Sequence, residues 1–186
     1  MPEYNRKALR LKDFDYNSAG AYFITICTLN KKCILSRIVG TGVLDCPENK
    51  TGVLDCPEIQ LTKYGEIAQK YIQQLNDFYS HISIDGYVIM PNHIHILLSI
   101  DKDADTQPLV NGQSGTPVPT SKANSELSRF ISTFKRFCNK EYGENIWQSR
   151  FYDRVIRNQA DFDLHLNYIF ENPFKWDKDE LFSNEN

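Results

Sequence analysis

Two histidines one residue apart carry the clearest chemical potential in this sequence. His93 and His95 sit inside the apolar, β-branched run Gly86-Tyr-Val-Ile-Met-Pro-Asn-His-Ile-His-Ile-Leu-Leu98. Side chains alternate along a strand, so the two imidazoles share one face while Ile94 and Ile96 take the other. Neighbouring imidazoles can bind one divalent cation or one phosphate. A half-buried pair on a sheet face is the alternative. Further on, Asp161 to Glu171 reads as a helix stopped by Asn172-Pro173. His165, Tyr168 and Asn172 fall at i, i+3 and i+7 on one face of it. Read alone, a tyrosine with a neutral amide one turn later is packing plus a cap.

A third stretch, Asn145 to Arg157, interleaves Trp147, Phe151 and Tyr152 with Arg150, Arg154 and Arg157. Aromatic faces stack bases and guanidinium groups hold phosphates, so the mixture suits single-stranded nucleic acid. Core packing with arginines reaching out to water is the competing reading.

These residues need elements to position them. Ala21 to Thr28 reads as a strand, and Cys33 to Val39 as a second strand paired with it through the turn Asn30-Lys31-Lys32. Leu61 to Tyr79 has the apolar spacing of an amphipathic helix. Ile82-Ser-Ile84 leads to a strand over Gly86–Met90, and Pro91-Asn92 separates it from a strand over His93–Ile100. Glu126 to Tyr142 is a helix whose apolar side holds Leu127, Phe130, Ile131, Phe134 and Phe137, with Arg129, Lys135, Arg136 and Lys140 on the rest. The order predicts an α+β fold, an antiparallel sheet backed by helices.

Thr41-Gly-Val-Leu-Asp-Cys-Pro-Glu48 recurs letter for letter as Thr51-Gly-Val-Leu-Asp-Cys-Pro-Glu58. Two short copies make no solenoid. The reverse complement of codons for residues 39–47, read one base out of frame, also encodes a near match to Gly112-Gln-Ser-Gly-Thr-Pro-Val-Pro-Thr120. One short DNA repeat entering the gene in both orientations accounts for all three segments, and unrelated codons would overturn this. Residues 40–58 and 107–121 are thereby expected to be inserted surface loops holding no catalytic group.

The chain has 186 residues, 41% hydrophobic and 24% charged, which suits one soluble domain spanning 1–186. It has no apolar run long enough to span a membrane, no secretion signal, and five cysteines without a Cys-x-x-Cys pair. A cytoplasmic protein with no membrane partner is expected. The net charge of −3 hides local basic segments. Arg6, Lys7, Arg10 and Lys12 stand against Glu3, and eight Lys or Arg stand against four acids over 121–157. Such patches fit a confined polyanion site, or solvated helix faces.

Taken together, four stretches resemble the REP-associated tyrosine transposases, a group within the single-tyrosine HUH transposases. They are Gly86 to His95, Gly20 to Thr28, Ile146 to Arg157 and Tyr168 to Trp176, and they occur in the order of that family. The resemblance implies a ferredoxin-like sheet and a C-terminal helix carrying the catalytic tyrosine. It implies His93 and His95 as metal ligands, Tyr168 as nucleophile, and Asn172 as third ligand. His165, on the same helix face and chemically a better ligand, competes with Asn172 for that role. Tyr152 is the other tyrosine weighed as nucleophile, but it lacks the amide that follows Tyr168.

The resemblance further implies single-stranded DNA with palindromic hairpin repeats as partner, and a metal-assisted 5′-phosphotyrosine link. Mg²⁺ or Mn²⁺ fits two imidazoles and an amide better than zinc does. Arg10, Lys12, Lys135, Arg136, Arg150, Arg154 and Arg157 are the expected DNA backbone contacts, with Trp147 among the DNA-binding residues. A monomer is expected, with a homodimer as the other arrangement found among related transposases. Two rivals remain. A histidine-triad nucleotide hydrolase needs a third histidine where this chain has Leu97, and a single-stranded nucleic-acid-binding protein of the same fold would lack catalysis.

Overall fold

The computed structural model describes residues 18–39, 57–101 and 125–183. The elements are β1 (Gly20–Cys27), β2 (Ser36–Val39), β3 (Glu58–Leu61), α1 (Lys63–Phe78), β4 (Ile82–Ile89), β5 (His93–Ile100), α2 (Glu126–Tyr142), β6 (Tyr152–Val155) and α3 (Gln159–Glu171). Short 3₁₀ turns cover Leu29–Lys31 and Asn172–Lys178. Arg10, Lys12 and the loop segments 40–56 and 107–121 lie outside the described residues. Of the first expected loop only Pro57 and Glu58 are described, and Glu58 opens β3.

The main sheet has the order β4-β5-β1-β6 with every neighbouring pair antiparallel. This is the α+β architecture expected from the pattern of elements. The strands at its centre are buried on both sides, because each face carries its own layer. Tyr22, Ile24 and Ile26 of β1 and Ile94, Ile96 and Leu98 of β5 face one core with α1 and α2 residues such as Ile72, Leu75, Phe130 and Phe134. Leu97, Val88 and Phe23 face the other way, against Leu166 and Ile169 of α3. The histidines belong to this second face.

Local sequence explains the helix limits. Thr62 accepts hydrogen bonds from the backbone N–H groups of Tyr64 and Gly65, and Ser125 accepts from Ser128, satisfying donors that a helix start leaves open. Gly143 closes α2 in the left-handed region at φ 78°. Asn158 caps α3 through Asp161 N–H.

The expected pairing of residues 33–39 with β1 is corrected. β2 pairs instead with β3 in a separate two-stranded ribbon, Ser36 opposite Leu61 and Val39 opposite Glu58. The flanks of β1 are already filled by β5 and β6, and Asn30 and Lys31 adopt positive φ, which turns the chain out of the sheet. Residues 152–155, read from sequence as part of a nucleic-acid-binding stretch, form edge strand β6.

Gly86 is needed for α3 to approach the sheet. A Cβ there would stand 2.9 Å from Leu166 Cδ1 and 3.8 Å from Ile169 Cδ1. The missing side chain lets the tyrosine-bearing helix lie close over β4.

Candidate functional site

The β4–β5 turn places the first two groups. Pro91-Asn92 forms a tight connection in which Met90 N–H donates to His93 C=O at 2.9 Å. The turn is fastened from outside by Thr28 N–H to Asn92 C=O and Leu35 N–H to Pro91 C=O, each 2.9 Å. His93 faces Cys27 across the ladder and His95 faces Thr25, so both imidazoles rise from the central strands of the sheet, beneath the C-terminal part of the chain.

Asn92 fixes the proton on His93. Its Nδ2 donates to Leu181 C=O at 2.9 Å, Ser183 Oγ at 3.0 Å and Lys31 C=O at 3.4 Å. Only the amide nitrogen can donate to carbonyls, so Oδ1 is the atom 2.8 Å from His93 Nδ1, and that ring nitrogen carries the hydrogen. His93 Nε2 is therefore a lone pair. It points at His95 Nε2, 3.0 Å away. His95 Nδ1 in turn lies 2.9 Å from Thr25 Oγ1, a hydroxyl able to donate or accept. Burial drives both imidazoles down to about 3, with Lys31 adding to the effect at His93 and His93 to that at His95. Both rings are neutral near pH 7, the form that ligates metals.

The third member comes from beyond α3. Ligand atoms of His93, His95 and Asp179 lie within 4.8 Å of one another. Asp179 is held by Leu181 N–H at 2.6 Å and Asn172 Nδ2 at 3.1 Å. Asn172 is buried, and its Oδ1 has no hydrogen-bond partner. These residues fit a divalent cation. The two Nε2 atoms, 3.0 Å apart, match the edge of an octahedron with ligands at about 2.1 Å once the hydrogen shared between them is displaced. A carboxylate supplies the negative charge, and an orphaned amide oxygen stands beside that carboxylate. The outer hydrogen bonds from Asn92 and Thr25 are those that orient ligating histidines elsewhere.

Tyr168 stands over this cluster. Its ring meets His95 edge-on at 5.2 Å and Phe23 edge-on at 5.8 Å, and its hydroxyl lies 3.4 Å from Asp179 Oδ2. Partial burial and then the Asp179 carboxylate push its pKa up to about 12. A cavity of about 910 Å³ opens in front of it, lined among others by Thr25, Lys31, His95, Tyr152, His165 and Asp179.

The sequence-derived site residues thus divide. His93, His95, Tyr168 and Asn172 gather at one place. His165 lies beside them, but its Nδ1 is engaged with Asp161, 2.7 Å from the backbone carbonyl and 3.4 Å from the carboxylate, and it is outside the three-residue cluster. Tyr152 lines the cavity from β6 and is 52% exposed. Arg150, Arg154 and Arg157 are exposed, with Arg154 paired to Asp161 at 3.2 Å, and Arg136 lies over the Phe137 ring.

Two expected DNA contacts are engaged within the fold. Trp147 is only 1% exposed and packs against Phe134; its neighbour Thr28 bridges to it as an extra strand pair. An indole enclosed this way cannot stack on a base. Lys135 donates to the carbonyls of Gln148 at 2.7 Å and Arg150 at 3.1 Å, so its ammonium ties α2 to the following loop. Asp179 was missed. Only its acidic neighbourhood marked it in the sequence, and it is brought to the histidines by the turn after α3, where Asn172 and Leu181 hold its carboxylate.

No family model matches the chain. An uncharacterized protein of Haemophilus influenzae is 26% identical over 96% of this chain and 94% of its own length. The REP-associated tyrosine transposase of Escherichia coli is 28% identical over 92 residues, which is 50% of this chain and 44% of that protein. The chain thus matches less than half the length of this named relative. A solved structure, a REP-associated tyrosine transposase bound to a REP hairpin, covers 89% of this chain and 74% of its own with TM-score 0.56 and 19% identity. The two share a fold.

Proposed function

Starting from the relationship of this chain to the REP-associated tyrosine transposases, we propose that it is a metal-dependent single-stranded DNA endonuclease and strand transferase acting on palindromic repeat hairpins. The observation carrying this reading is that a tyrosine hydroxyl, two neutral imidazoles and a carboxylate meet at one cavity. No serine or cysteine lines that cavity among the described residues, and its second tyrosine, Tyr152, stands on β6 outside the cluster of His93, His95 and Asp179.

His93, His95 and Asp179 would hold Mg²⁺ or Mn²⁺, with Asn172 Oδ1 next to them as a further donor. Such an ion supplies Lewis-acid polarisation of a phosphodiester and neutralises charge developing on its oxygens. The protein residues do the rest. Tyr168 Oη attacks phosphorus and gives up its proton while the bond to the 3′-oxygen breaks and that oxygen takes a proton from solvent, leaving a 5′-phosphotyrosine and a free 3′-hydroxyl. Asp179 Oδ2 accepts the hydrogen bond of the tyrosine hydroxyl in the resting state and is placed to receive its proton. Attack by a second 3′-hydroxyl on the phosphotyrosine reverses these bonds, so joining needs no external energy source. Phe23 packs edge-on to Tyr168 and stacks on His95 at 5.0 Å, holding the rings in mutual register.

The test is cleavage of an end-labelled hairpin oligonucleotide with Mg²⁺ or Mn²⁺, followed by denaturing electrophoresis. Wild type should give a covalent protein–DNA adduct that Tyr168→Phe does not form. Hairpin binding without an adduct would overturn the enzyme and leave the nucleic-acid-binding alternative. Size-exclusion chromatography of the native protein reads oligomeric state, for which a monomer is expected.

A further inference from the structure

Resting on that reading of the site, we infer that Lys31 is the residue that clasps the substrate phosphodiester from the wall of the cavity. The argument begins with the backbone. Asn30 and Lys31 are consecutive non-glycine residues at φ 57° and 54°, in a region L-residues seldom occupy. Strain of this kind persists where surrounding structure holds it. Here the Lys31 carbonyl accepts from Asn92 Nδ2 at 3.4 Å and from Ser183 Oγ at 3.1 Å, and its N–H donates to Thr28 C=O at 3.1 Å.

The result of that turn is to put Lys31 in the wall of the cavity that contains His95, Tyr168 and Asp179. The ion pairs of the described residues use Lys70, Arg129, Arg154 and Lys175, and Lys31 is in none of them.

The charge balance of the cavity gives this consequence. Its wall carries the carboxylates of Glu171, Asp179 and Glu180 against two ammonium groups, Lys31 and Lys175. Lys175 is consumed by Glu171. An anionic substrate entering this space therefore meets one cation that no carboxylate has claimed among the described residues. Arg150, Arg154 and Arg157 lie on or beside β6, and none of them lines this cavity. Asn92 adds a mechanical link, since the amide that sets the His93 proton also holds the turn carrying Lys31. Phosphate clamp and metal ligand are positioned by one side chain.

The experiment compares hairpin oligonucleotides with a normal phosphodiester or an uncharged methylphosphonate at the scissile position, bound in EDTA so that neither metal nor cleavage contributes. Wild type should bind the charged form about tenfold more tightly. Lys31→Met and Lys31→Gln should both reduce the ratio to about one, Lys31→Arg should keep most of it, and the salt slope of the charged form should fall by about 0.7 in the Met and Gln variants. An unchanged ratio in Lys31→Met and Lys31→Gln, with wild-type circular dichroism, overturns the role of Lys31. So does a wild-type ratio of one. Because the measurement is metal-free, it can fail while wild type still forms its covalent adduct, or hold while that adduct is absent.

Discussion

Asn92 Oδ1 stands 2.8 Å from His93 Nδ1, and the other end of the same amide is bound to Leu181, Ser183 and Lys31. The pairing ties the protonation pattern of a buried ring to the C-terminal segment of the chain. Removing the amide frees His93 to rotate and to change tautomer. Asn92→Ala should weaken Mn²⁺ affinity by about 10- to 100-fold, read by calorimetric titration, while Lys32→Ala beside it should not.

Asp179 and Asn172 make different contributions to the cluster. Asp179 brings a charged ligand atom among the histidines; Asn172 braces it through Nδ2. Asp179→Ala should therefore lose more Mn²⁺ affinity than Asn172→Ala, about tenfold or greater. The reverse order would make Asn172 the principal third ligand.

Gly86→Ala tests how closely α3 must approach the sheet. The new methyl would meet Leu166 Cδ1 at 2.9 Å, and that side chain has to move. A loss of about 1–3 kcal/mol in denaturant unfolding is expected, with adduct formation falling further than stability because Tyr168 rides on the displaced helix. Pairing the change with Leu166→Ala should restore part of both.

Lys135 offers a pH signature. Burial depresses its ammonium from the usual 10.5 to about 8. Between these values the unfolded chain binds the proton that the folded protein lacks, so the contribution of this residue to stability rises with pH from about 8 to 10.5. It is lost as pH falls through about 8. Relative to Lys135→Met, wild type should gain stability across that window, measured by urea unfolding at each pH. A parallel pH dependence in the two proteins would contradict the burial effect.

The histidine pair was legible because a strand has period 2, whereas helical spacing put Tyr168 and Asn172 on one face and only the family resemblance gave them roles. The antiparallel α+β frame followed from the same periodicities. What escaped was decided by distant partners. Ser36–Val39 is intrinsically a strand, yet its neighbour was chosen by which edges of β1 were already occupied. Trp147 sits among arginines in the sequence but beneath the surface in space, and no local pattern separates those cases. Asp179 is one acid in an acidic stretch; its place comes from Leu181, Asn172 and the folded turn between them.

The site is assembled from two pieces of chain synthesised far apart. The hairpin with His93 and His95 is complete before α2 emerges, whereas Tyr168, Asn172 and Asp179 arrive at the end. Leu181 and Ser183, which brace Asn92, come later still. A ribosome-bound fragment ending short of these residues carries the imidazoles without Asp179, without Tyr168 and without part of their support. The proposed site therefore closes only once residues 168–183 are in place against the β4–β5 hairpin.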